Sequence, residues 1–143
     1  MKTIKIGERE IPLYYSVAEL VEIQRDIGCT AFELKDKVFG LVQDDDGDPQ
    51  NVRLEVATDP ERTARLGTLI RILGNAGLEE SGMEPDLTDK WVLRHMHPAM
   101  VLIYAIAVMA IIIEGNKMES KEDEAGPVDE VLEEINAKKQ PGS

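Results

Sequence analysis

A single cysteine, Cys29, stands in the 143 residues, so no disulfide can close within the chain and a reducing compartment is the expected setting. Aromatics are also scarce. Two Phe, three Tyr and one Trp make up 4% of the sequence, so any core must be aliphatic. Positive charge is in deficit: 16 Lys and Arg face 28 Asp and Glu, a net charge of −12. That balance opposes phosphate backbones and anionic lipid, which argues against broad binding to nucleic acid or to a membrane surface. The segment from Met1 to Lys5 lacks the apolar run of a signal peptide, and a cytoplasmic protein is expected.

Catalytic signatures are missing too. There is no Gly-x-Ser-x-Gly elbow, no phosphate loop and no Gly-x-Gly-x-x-Gly. The acidic loop from Asp44 to Asp48 invites a calcium reading. Setting Gly47 at the sixth loop position, however, puts Val42 at the first and Arg53 at the twelfth, where carboxylates are needed. His95 and His97, two apart, do not share a helix face and have no neighbouring Cys or acid cluster; a helix-end or kink role is expected. Cys29 precedes a helix start, which can activate a thiol, but a small packing residue fits the position better. No catalytic residue, cofactor or metal site is therefore expected.

What is present is mostly helix grammar. Thr3 to Ile6 and Ile11 to Tyr15 flank a Gly7-Glu8 turn and predict a β-hairpin, with Pro12 marking an edge strand. Ser16 and Glu19 form a capping box, with Val17, Leu20, Val21 and Ile27 as the apolar face and Gly28 as the stop. Thr30 and Glu33 repeat the box, and Phe32, Leu34, Val38 and Phe39 are the apolar positions of a short helix ending near Gly40. Val52, Leu54 and Val56 alternate as a short third strand. Asp59-Pro60-Glu61 opens a long helix with a Leu66, Leu69, Ile70, Leu73 stripe, dissolving by Gly77 to Gly82. Gly67 and Gly74 inside it read either as close approach of a second helix or as weak helix. Thr88 caps the next helix, with Leu87 and Val92 as its staple, and Pro98 breaks or kinks it.

Ala99 to Ile113 then has no polar face at all, so it must be surrounded on all sides. Fifteen residues span about 22 Å, short of the ~30 Å core of a bilayer, and no membrane span is expected. The other candidate helices are short and one-sided, so part of this rod should be covered by another chain. Met100, Tyr104, Val108 and Ile112 follow a four-residue step and, with Trp91, form the expected partner-binding or self-association face. Residues 119–143 carry eight acids against three bases, a net −5. They read as an acidic, disordered tail in which Val128, Val131, Leu132 and Ile135 mark a short helix over 128–137 that forms on a partner. The expected fold is mainly α (α+β): an N-terminal β-hairpin followed by four to five helices packed around the apolar C-terminal helix in residues 1–118, then the tail.

The layout resembles a known family. "MKTIKIGEREIPLYYS" leads into "SVAELVEIQRDIGCTAFELKDKVFGL", then "DPERTARLGTLIRILGNAGLEESG", "LTDKWVLRHM", an apolar helix and an acidic tail. This order is similar to that of the tail assembly chaperones of long-tailed bacteriophages and prophages. Their "(S/T)xxxLxxLxxxxG" first helix is approximated by Ser16, Leu20, Ile23 and Gly28, with Ile in place of the second Leu. The resemblance covers residues 1–117 and is one of layout. It implies a non-enzymatic helical protein of the host cell cytoplasm that self-associates and holds the tape-measure protein and tail-tube subunits before the tube polymerises. Many members also have a longer product made by translational frameshifting. Two other readings remain open: a structural or adaptor component of the particle, and a small acidic regulatory binding protein.

Overall fold

The computed structural model describes residues 1–43 and 52–125. The hairpin comprises β1 (Thr3–Ile6) and β2 (Arg9–Pro12), antiparallel with Ile4 opposite Ile11. Helix α1 (Val17–Ile27) leads to a 3-10 turn (Ala31–Glu33) and a π turn (Lys35–Phe39). A second antiparallel pair follows, β3 (Leu41–Gln43) with β4 (Val52–Leu54). Then come α2 (Pro60–Glu80), α3 (Asp89–His95), a 3-10 turn (Pro98–Met100) and α4 (Val101–Ala125). The protein is mainly helical with a small β component.

Packing converges on α2, which meets β2, α1, α3 and the π turn. The apolar C-terminal helix is therefore not the centre that its sequence suggests. Leu66, Leu69, Ile70 and Leu73, the stripe read from the sequence, are all fully buried. The helix does not dissolve at Gly77 but continues to Glu80, because Gly77 lets β2 cross it closely. A Cβ there would lie 2.0 Å from the Pro12 carbonyl oxygen. The strand leaves its partner at this crossing. Leu13 N–H still donates to the Lys2 carbonyl at 2.8 Å, but Tyr14 N–H donates to the α2 carbonyl of Leu73 at 3.1 Å, so the second strand is shorter than expected. Gly67 and Gly74 also mark close approach. A Cβ would fall 2.5 Å from Leu93 Cδ2 at the first and 2.6 Å from Leu87 Cδ1 at the second.

The caps are built as their residues dictate. Ser16 N–H donates to Glu19 Oε1 at 2.8 Å, Thr30 N–H to Glu33 Oε1 at 2.9 Å, Glu61 N–H to Asp59 Oδ1 at 3.1 Å, and Trp91 N–H to Thr88 Oγ1 at 3.0 Å. Gly28 and Gly40 close their turns with φ of 90° and 62°.

The face that α1 turns inward differs from the expected one. Val17 and Val21 are more than half exposed, while Ile23 and Glu19 are buried. The reason is ionic. Arg71 on α2 pairs with Glu22 at 3.5 Å, Asp26 at 3.2 Å and the α3 residue Asp89 at 2.8 Å, which rotates the acidic side of α1 toward α2. Phe32, expected inside, is also exposed. The strand over 41–43 has no alternation to announce it. The chain as a whole divides into two compact units, Met1–Ile111 and Ile112–Ser143. In the second, the described residues continue α4 as far as Ala125, past the boundary expected at residue 118. The loop at 44–51 and the tail positions Val128, Val131, Leu132 and Ile135 lie outside the described residues.

Candidate functional site: the uncovered face of α4 and the elbow before it

An all-apolar helix gives the sequence no way to mark its inner side; packing chooses it. Val101, Tyr104, Ala105 and Val108 are buried. Tyr104 fixes the rotation, its hydroxyl donating to the Lys5 carbonyl of β1 at 3.0 Å. The four-residue ridge expected to meet a partner is thus the inward one. Met100 is half-buried, Tyr104 is 5% exposed, Val108 0% and Ile112 4%. In the first unit Tyr104 and Val108 are enclosed and Met100 partly so, which corrects their assignment to an open partner face; Ile112, in the second unit, is buried as well.

The opposite side is open. Leu102 is 41%, Ile103 56% and Ile106 52% exposed, and Ala110 is exposed with them. In the second unit, Ile113 is 55% exposed. Read along the sequence, Ala99, Ile103, Ile106, Ala110 and Ile113 step by 4, 3, 4 and 3, the heptad spacing of a helix that meets another helix. Within the first unit, the open face of α4 carries this seam over Ile103, Ile106 and Ala110. Within Pro98–Lys117 an 18-residue window has a mean hydropathy of 2.2, and only 28% of that window is buried. These 20 residues form, among the described residues, one helix apolar and long enough to cross a membrane. The shortfall computed from fifteen residues does not hold once the flanks are included.

The elbow before α4 follows from local chemistry. Pro98 cannot continue α3, and Met96 and His97 are extended, with ψ of 131° and 129°. His97 Nδ1 accepts from Ala99 N–H at 3.1 Å, capping the next turn. His95 Nδ1 lies 2.8 Å from the Trp91 carbonyl, which requires that this nitrogen carry the proton. The His95 ring stacks on Trp91 with centroids 4.4 Å apart and planes at 24°. Arg9 covers the indole at 5.6 Å and pairs with Asp86 at 2.7 Å. Trp91, half-buried under these partners, offers little free surface.

Between this elbow and the β1–β2 turn lies a cleft of 630 Å³. Lys5, Arg94, His95 and His97 line it, over a floor that includes Met100 and Tyr104. Gly7 in the turn is close enough that a Cβ would sit 3.7 Å from the His95 ring. Sequence reasoning did not single out Lys5 or Arg94, because no linear motif joins the hairpin to residue 94.

Cys29 is 5% exposed, and burial, with Glu33 nearby, pushes its thiol above the usual range. That is the opposite of an activated nucleophile.

No protein-family model, curated protein or solved structure matches this chain.

Proposed function

We propose that this chain is a non-enzymatic binding protein whose open α4 face shelters an apolar helical segment of another protein. The role is that of a phage tail assembly chaperone, with the tape-measure protein and tail-tube subunits as clients. The observation that carries this reading is the uncovered row Leu102, Ile103, Ile106 and Ala110 on a soluble-type, strongly acidic fold. Fully burying a Leu or Ile side chain yields about 1.5–3 kcal/mol, and these are roughly half exposed, so each still offers about 1 kcal/mol to a partner. The seam's heptad spacing suits a helix as that partner. A long helical tape-measure protein supplies such segments before the tube encloses it, and a net charge of −12 keeps the loaded complex apart from its neighbours. Self-association would use the same seam.

The test is co-expression with a tape-measure protein from the same gene cluster, followed by size-exclusion chromatography with light scattering. Wild type should give a defined complex, and the double variant Ile103→Glu, Ile106→Glu should lose it while keeping its circular dichroism. A stable monomer that binds the client equally well with both substitutions overturns the reading.

One observation favours a second reading. The hydropathy and low burial of Pro98–Lys117 also suit a helix that enters a bilayer. In that case the chain sediments with membranes after lysis and needs detergent to be extracted; as a chaperone it stays in the supernatant.

A further inference from the structure

Seven arginines occur in the sequence, all within the described residues. Six of them, Arg9, Arg25, Arg53, Arg62, Arg65 and Arg71, form ion pairs. Arg94 has no ion-pair partner among the described residues, although acids outnumber bases 28 to 16. It lines the elbow cleft beside Lys5, which forms no salt bridge among the described residues but stands opposite Glu10 in the β1–β2 ladder, and beside both histidines of the chain. In an acidic protein, a cleft lined by the one described arginine without a salt bridge points to an anion supplied from outside.

The histidines narrow the chemistry of that anion. His97 Nδ1 accepts from Ala99 N–H, so the neutral ring carries its proton on Nε2 and offers a donor. His95 uses Nδ1–H on the Trp91 carbonyl, so its neutral ring offers Nε2 as an acceptor. Two cations, a donor and an acceptor therefore line one cleft over Pro98, Met100 and Tyr104. A carboxylate attached to a peptide satisfies all of them: the carboxylate takes the cations, a backbone N–H meets His95, and an apolar neighbour rests on the floor. A bare phosphate has no N–H to give and no use for the floor. A long polyanion is repelled by the net charge of −12.

We propose that this cleft binds a short peptide segment of a partner protein, carrying one or two carboxylates next to an apolar side chain. Arg94 and Lys5 take the carboxylate, and the two histidines fix its orientation. This site is separate from the open face of α4 and does not depend on the chaperone role.

The full chain has one tryptophan, and Trp91 stacks on His95, so its fluorescence reports on the cleft. The probe is an acetylated, amidated Leu-Glu-Leu-Glu peptide, titrated at pH 8 and low salt beside its Leu-Gln-Leu-Gln counterpart and inorganic phosphate. Saturable binding of the Glu peptide is expected, with none of the Gln peptide and no displacement by equimolar phosphate. Arg94→Gln should weaken it tenfold or more. Lys35→Gln, an exposed change of equal charge on the π turn and away from the cleft lining, should alter it less than twofold. The proposal is overturned by absence of saturable binding, by equal weakening in the two variants, by equal affinity of the Gln peptide, or by displacement with phosphate.

Discussion

Replacing Gly77 by Ala tests the crossing of β2 over α2 directly. The new methyl carbon would sit 2.0 Å from the Pro12 carbonyl oxygen, 2.4 Å from its carbon and 2.9 Å from Leu13 N. All three are backbone atoms, so no side chain can swing aside. Ordinary contact near 3.5 Å requires the strand to move out by roughly 1.5 Å. That shift breaks the Tyr14 N–H to Leu73 carbonyl bond, a loss of about 1 kcal/mol. Overpacking adds about 1–3 kcal/mol, and the better helix propensity of Ala returns about 1 kcal/mol. The net destabilisation is about 1–3 kcal/mol, or a fall in Tm of roughly 4–12 °C for a chain of this size. Gly67→Ala is the matched comparison. Its Cβ would meet the side chain of Leu93, at 2.5 Å from Cδ2, and Leu93 is 38% exposed and free to turn outward. The propensity gain then offsets the crowding, leaving Gly67→Ala within about 0.5 kcal/mol of wild type. Urea and thermal unfolding followed by far-ultraviolet circular dichroism measures both variants. If Gly77→Ala matches wild type, or if Gly67→Ala is the worse of the two, the close crossing does not exist as described.

Other consequences are equally accessible. Arg71→Met keeps the stem but leaves Glu22, Asp26 and Asp89 without their shared cation, and should cost about 1–2 kcal/mol in urea unfolding, reduced from buried-pair values because the site is partly exposed. Ser16→Ala removes the hydroxyl that accepts from Ala18 N–H and donates to the largely buried Glu19, leaving Glu19 the backbone N–H of residue 16, so a loss of about 1 kcal/mol is expected from the same assay. Arg25 first, and Arg71 after it, holds the Asp26 carboxyl below its ordinary value. The unfolded chain therefore takes up that proton more readily than the folded one. The stabilisation is complete above the ordinary carboxylate pKa of about 4 and is lost as pH falls through the lower folded value. The stability gap between wild type and Asp26→Asn should accordingly close on acidification. Cys29 should react slowly with a disulfide reagent at pH 8 and match a free thiol only in denaturant; fast native labelling would contradict its burial.

The sequence announced what depends on neighbours along the chain. Ser16 with Glu19, Thr30 with Glu33, Asp59 with Pro60, and Thr88 each place a cap from residues a few positions apart, and each helix or turn starts there. The stripe on α2 was legible because its polar side contrasts with it. Where contrast is missing, rotation was not legible. On α1 two apolar faces compete, and Arg71, far away in sequence, decides between them. On α4 every face is apolar, and one hydroxyl, that of Tyr104, selects the buried side. The 4-3-4-3 step at Ala99, Ile103, Ile106, Ala110 and Ile113 was available as a signal, but a competing four-residue step ran beside it. The elbow cleft was out of reach, since it joins Lys5 to Arg94 across the fold.

From Ile103 to Ala110 the open seam spans about 10 Å, which is two helical turns. If the seam holds a client helix as proposed, a grip that short is not permanent. At about 1 kcal/mol per half-exposed aliphatic side chain, several copies would have to sit along a long helix, each leaving independently, for that helix to stay covered. A brief handhold of this kind yields to any surface that offers more turns at once.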